Sequence, residues 1–102
     1  MKRRVTIRAI ARAQIVEAFN RYNLSPAKRG DDFLNAVDAR IEDLVMLPFS
    51  CSLQFGDVRR AMLKGFSYHL LYAVREQNSE PYLVVLGCVH ERSDPQAWQK
   101  LD

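Results

Sequence analysis

Glycine is scarce in this chain, and the four glycines (Gly30, Gly56, Gly65, Gly87) are scattered rather than gathered into a phosphate-cradling loop. Neither GxSxG nor HExxH occurs, so a P-loop enzyme and a zinc protease are excluded. Cysteine is sparser still. Cys51 and Cys88 stand far apart, with no CxxC spacing and no nearby histidine to complete a zinc set. They are expected to be reduced structural thiols of a cytoplasmic protein, and no metal or other cofactor is expected. The longest apolar run, Tyr82 to Val89, falls far short of the roughly 18 residues a membrane helix needs. The basic start Met1-Lys2-Arg3-Arg4 is not followed by a signal-peptide core, because Thr6 and Arg8 interrupt Val5 to Ile10.

What is present suits one soluble domain spanning residues 1–102. The chain is 48% hydrophobic, too apolar for a mostly disordered polypeptide. At this size a domain buries roughly two-thirds of its unfolded surface and needs no staple. The net charge of +3 is unevenly spread. Residues 1–30 carry eight basic side chains against Glu17 alone, whereas residues 31–57 carry Asp31, Asp32, Asp38, Glu42, Asp43 and Asp57 against Arg40. Separate basic and acidic patches suit a charged protein partner at least as well as a phosphate backbone.

Val5-Thr6-Ile7-Arg8 alternates as a strand does. From about Ala11 to Asn23, Ile15, Ala18, Phe19 and Tyr22 form one stripe of an amphipathic helix. Ser25 is expected to cap a second helix with Pro26 in its first turn. Phe33, Val37, Ile41, Leu44 and Val45 continue the helical stripe until Pro48 stops it. The short connection predicts an antiparallel helix hairpin. Val58 to Leu63 then reads as a strand turned by Lys64-Gly65. Phe66, Tyr68, Leu70, Tyr72 and Val74 make one apolar face of the next, and Tyr82 to Val89, apolar on both faces, reads as the most buried. The fold class is therefore α+β: an N-terminal strand, an antiparallel two-helix hairpin, then a three-stranded antiparallel meander. The hairpin is expected on one sheet face, with the other face left to solvent or a partner.

Two histidines among basic residues (Arg59, Arg60, Lys64, Arg92) are the candidates for chemistry. His69 and His90 titrate near neutral pH and can act as base and acid, while Arg60 or Arg92 stabilises charge on a phosphate, a metal-independent ribonuclease set. The alternative for each is a satisfied histidine on or at the end of a strand. Arg59 and Arg60 are adjacent on a strand, so they point to opposite faces and only one can serve any single site. Trp98 either pins the tail to the domain or anchors a partner. A DNA-reading helix-turn-helix is rejected, because the acidic second helix repels phosphates.

The order of elements, with Ser25-Pro26, Leu47-Pro48, Arg59-Arg60, the strand Phe66-Ser67-Tyr68-His69-Leu70-Leu71-Tyr72 and the ending His90-Glu91-Arg92-Ser93-Asp94-Pro95 with Trp98, resembles the RelE/ParE superfamily of bacterial toxins from toxin–antitoxin (plasmid stabilisation) modules. The ending looks most like the ParE branch. That resemblance implies a toxin that inhibits DNA gyrase by binding it and that a cognate antitoxin neutralises, in a toxin–antitoxin hetero-oligomer. No catalytic residues are then expected, and Arg59, Arg60, His90, Arg92 and Trp98 are the candidates for target binding. The basic residues Arg3, Arg4, Arg8, Arg12 and Arg21 are the candidates for antitoxin binding. The alternative branch implies a RelE-like ribosome-dependent endoribonuclease cleaving mRNA with Arg60, His69, His90 and Arg92. The sequence departs from that pattern at His69, at His90 and in the tail, where Gln96 to Trp98 replace a tyrosine.

Overall fold

The computed structural model describes residues 4–101. The elements run β1 (Arg4–Ile7), α1 (Ala9–Leu24), α2 (Gly30–Met46), β2 (Leu53–Phe55), β3 (Val58–Met62), β4 (Tyr68–Gln77), β5 (Glu80–His90) and a short α3 (Pro95–Trp98) that continues into a 3-10 turn at Gln99–Leu101. All five strands join one sheet in the order β1-β5-β4-β3-β2. β1 lies parallel to β5, and every other pairing is antiparallel. The α+β class and its order stand as expected. The meander is one strand longer than the pattern suggested, because β2 is a three-residue edge strand whose Leu53 and Gln54 lie exposed and carry no alternation.

The helix hairpin covers one face. Ala11, Ile15 and Ala18 of α1 and Phe33, Val37 and Leu44 of α2 pack on Ala61, Leu70, Tyr72, Leu83, Val85 and Cys88. A knot of rings, Tyr22, Phe33, Phe66 and Tyr68, closes the end of this core with centroids 5.0–5.9 Å apart, each contact adding about 0.5–1.5 kcal/mol to its burial. The Tyr72 hydroxyl, sealed in this layer, donates to the Pro48 carbonyl at 2.8 Å and ties the end of the helix hairpin to the middle of the sheet.

The helix connection differs in detail from the expectation. Ser25 closes α1 rather than opening α2: its N–H and its hydroxyl both bond the Tyr22 carbonyl. The chain needs the loop Pro26–Arg29, with Lys28 in the left-handed region (φ 48°), to reverse direction. α2 then starts at Gly30, whose N–H is capped by Asn23 Oδ1 at 2.9 Å. A Cβ on Gly30 would collide with that carboxamide.

The opposite face is not left open. Val58, Leu71, Ala73, Val84, Leu86 and Val89 form a second apolar layer, closed by Trp98 and flanked by Phe55, Tyr82 and Leu101. The expectation of a solvent-facing second face fails for a physical reason: a strand apolar on both sides needs cover on both. The tail supplies it. Asp94 Oδ1 caps the Gln96 N–H at 3.0 Å and Pro95 fits the first turn.

Between β4 and β5 the chain turns on Asn78 and Ser79, both with positive φ, a type I′ geometry that matches strand twist. Further along, a bulge leaves Leu86 extra between the pairs Leu71↔Gly87 and Tyr72↔Val85. Leu86 and Gly87 therefore share a face, and the alternation of β5 inverts after them.

Removing the Asn23 cap strands a buried backbone donor. Asn23→Ala should lower unfolding free energy by about 1–2 kcal/mol, read as a lower urea midpoint with an unchanged slope.

Candidate functional site

The sheet separates the residues that sequence reasoning placed together. Arg59 pairs with Tyr72 and faces the helices, whereas Arg60 pairs with Leu71 and faces the other way. Arg59 is engaged inside the molecule. Its guanidinium donates to the Cys51 carbonyl at 2.6 Å and the Phe49 carbonyl at 3.4 Å, and lies 5.2 Å from the Phe49 ring centroid. It fastens the loop after α2 to β3 and is not offered to a target.

The two histidines are divided in the same way. His69 pairs with Val89 on the face that Trp98 covers, and His90 pairs with Tyr68 on the helix face. His69 is 4% exposed, its ring 6.3 Å from that of Trp98, and its Nδ1 has no hydrogen-bond partner among the described residues. Burial pushes its pKa below the usual histidine range. The positive charge of Arg60 and the neighbouring His90 push it the same way, and Glu91 opposes them. His90 meets Tyr68 edge to face at 5.2 Å and accepts the Arg92 N–H on Nδ1 at 3.1 Å, which places its proton on Nε2. An acid and a base on opposite sides of a sheet cannot flank one phosphate, so Arg60, His69, His90 and Arg92 do not assemble as a ribonuclease set in this arrangement. Arg92 stands exposed in the turn after β5.

Trp98 is 2% exposed. Its Nε1 donates to Ser93 Oγ at 2.7 Å, and that hydroxyl donates to the His90 carbonyl at 2.6 Å. The indole pins the tail to the sheet rather than anchoring a partner.

The N-terminal basic residues flank β1, one edge of the sheet, and α1. Arg3 lies outside the described residues. Arg4 donates to Gln77 Oε1 at 2.6 Å and lies over the Tyr82 ring at 4.4 Å. Arg8 and Arg12 are exposed one helical turn apart with half-exposed Val16 one turn further on, whereas half-exposed Ile10 lies on the opposite flank of the helix. Arg21 pairs with Glu17 and donates to the Tyr68 hydroxyl, each at 3.0 Å. The cations of α1 are therefore divided between its two flanks.

Sequence reasoning missed further exposed apolar residues: Met46, Leu47 and Phe49 at and after the end of α2, and Leu53 and Met62 on strands. Arg40 of α2 donates to the Met62 carbonyl at 3.0 Å and Cys51 Sγ at 3.3 Å. Val45-Met46-Leu47-Pro48-Phe49 is more apolar than a helix end and loop require, and that excess was the available signal.

No protein-family model and no curated protein matches the sequence. Among solved structures, the chain is similar to one described as the chromosomal ParDE TA system from P. aeruginosa, with a TM-score of 0.62 and 14% identity over 87% of this chain and 96% of that chain. The likeness establishes a shared fold.

Two outcomes follow from the covered face. The folded state resists protonating His69, while the unfolded chain takes the proton below about pH 6.5. Stability should therefore fall as pH drops from 7.5 to 5, and His69→Gln should flatten that part of the dependence in urea titrations at each pH. Trp98→Ala should cost about 3 kcal/mol or more and raise binding of an apolar dye to the uncovered layer.

Proposed function

We propose that residues 1–102 form a single ParE-like toxin domain of a bacterial toxin–antitoxin module. In this reading the protein acts in the cytoplasm, inhibits DNA gyrase by binding, and is neutralised by a cognate antitoxin. The observation that carries the reading is the fold shared with a chain of a ParDE TA system, together with the ordered motifs from Arg59-Arg60 to His90–Trp98. The separation of His69 from His90 by the sheet favours inhibition by contact over acid–base cleavage. Among the described residues, no helix is long and apolar enough to cross a membrane.

The division of labour follows from what each cation already touches. Arg4, Arg8, Arg12 and Arg21, with Ile10 and Val16 also exposed on α1, suit an acidic, partly apolar antitoxin segment that folds as it binds around the helix. Arg60, His90 and Arg92 remain the target-binding candidates, with Arg60 on the sheet face opposite His90; Arg59 and Trp98 hold the loop and the tail.

Purified chain should suppress gyrase supercoiling while ribosome-bound mRNA stays intact, with both assays run side by side. Cleavage of mRNA that disappears in His69→Ala or His90→Ala would replace this reading with a RelE-like ribosome-dependent endoribonuclease. Failure of both assays would remove the toxin reading.

A further inference from the structure

The tail lies on the sheet without being bonded to it. Among the described residues, the hydrogen bonds of residues 94–101 run to one another and to Ser93. Asp94 caps Gln96, the Ala97 N–H returns to the Asp94 carbonyl, and Trp98 Nε1 reaches Ser93 Oγ. The rest of the hold is apolar. Trp98 is buried on the layer of Val58, Leu71, Ala73, Val84, Leu86 and Val89, and Leu101 borders it. A Cβ on Gly87 would lie 2.6 Å from Leu101 Cδ1, so Leu101 occupies the space that a side chain at residue 87 would take. Short terminal elements held in this way open at lower free energy than the central strands beneath them.

Under that tail sits a titratable side chain that the fold leaves unsatisfied. His69 is buried beside Trp98, ring centroids 6.3 Å apart, and its Nδ1 has no hydrogen-bond partner among the described residues. A neutral ring tolerates such a site far better than an imidazolium does. The surrounding charges also count. On β3, Arg60 shares the face of His69, since Met62, two residues on, is its pairing partner. β4 itself carries no other charge on this face before Arg75. β5 brings Val89 opposite, with His90 on the far side and Glu91 just beyond. In the tail, the Asp94 carboxylate is engaged by the Gln96 N–H. Lys64 in the turn before β4 and Lys100 in the tail are exposed cations. Glu91 alone favours a proton on His69, and burial first and Arg60 second outweigh it.

We propose that the segment Pro95–Leu101 is a strap that acid releases from the sheet, with His69 as the group that triggers it. Above about pH 6.5 the ring is neutral whether the tail is open or closed, and docking is at full strength. Below that value an open tail leaves His69 in water to take a proton, whereas the closed tail excludes it. The opening constant therefore rises as pH falls, by up to about thirtyfold between pH 7.5 and 5. What opens is the second apolar layer, with Arg60 beside Leu71 at its margin. The chain thus presents at acid pH a sheet face that it hides at neutral pH. The inference does not depend on the toxin–antitoxin reading.

Trp98 is the only tryptophan, so its indole N–H gives one assignable signal in ¹⁵N-labelled full-length protein. Its hydrogen exchange, referenced at each pH to that of free indole, reads opening of the tail. The amides of Leu70, Leu71 and Tyr72 read unfolding of the sheet. The indole should be less protected than those amides, and its protection should fall by up to about thirtyfold from pH 7.5 to 5. His69→Gln should abolish most of that fall. Arg60→Gln, which removes the repelling charge from a half-buried position, should shrink it, and it carries the test if His69→Gln does not fold. Equal protection of the indole and the sheet amides at every pH would overturn the proposal. So would indole protection that is independent of pH, or a fall undiminished in His69→Gln or in Arg60→Gln.

Discussion

Strand β5 is apolar on both faces, and the rest of the molecule is arranged to keep water from each. Leu83, Val85 and Cys88 press on the helix hairpin, while Val84, Leu86 and Val89 press the other way on Trp98 and its neighbours. Burying a side chain of this size contributes about 1.5–3 kcal/mol. A layer of six such residues left wet would cancel much of what a domain of this length gains in total. The helix hairpin alone is therefore insufficient, and a four-residue helix with its following turn has a structural role out of proportion to its length. Its fastening is polar: Asp94 caps it, and the Trp98–Ser93–His90 relay ties it to the end of β5.

That constraint redistributes the residues available for recognition. With both faces of the sheet covered, the exposed charged and apolar side chains lie on the helices, loops and edges around it. On α1, Arg8, Arg12 and Val16 stand on one flank of the helix and Ile10 and Arg21 on the other, all exposed. At the end of α2 and on the edge strand β2, Met46, Leu47, Phe49 and Leu53 also lie exposed. Arg59 and Arg60 illustrate the cost of adjacency on a strand. One guanidinium holds a loop by two carbonyls, and the other is the charge that helps keep His69 neutral.

Much of the fold was legible because its periodicities are long and clean. The stripe Ile15, Ala18, Phe19, Tyr22 and the even positions of β4 marked the core face. The errors came where local chemistry had two valid uses. Ser25 can cap the start of one helix or close the end of another, and the distance from Asn23 to Gly30 decides for the second. β2 was invisible because three mostly exposed residues show no alternation. Trp98 sits in a polar segment, and only the second apolar side of β5 pointed to its burial. Of the candidate site, residue types were readable but sidedness was not. Whether His69 and His90 meet depends on strand register, and no composition or spacing reports it.

That sidedness comes down to the bulge at Leu86. In an unbroken ladder from the Tyr72↔Val85 pair, His90 would emerge on the same side as His69. The extra residue turns it toward α1 instead. Deleting Leu86 would remove the bulge and leave the His69↔Val89 and Tyr68↔His90 pairs in place, so the imidazoles would stay on opposite surfaces; only a ladder that keeps Leu86 and loses the bulge would bring them to one.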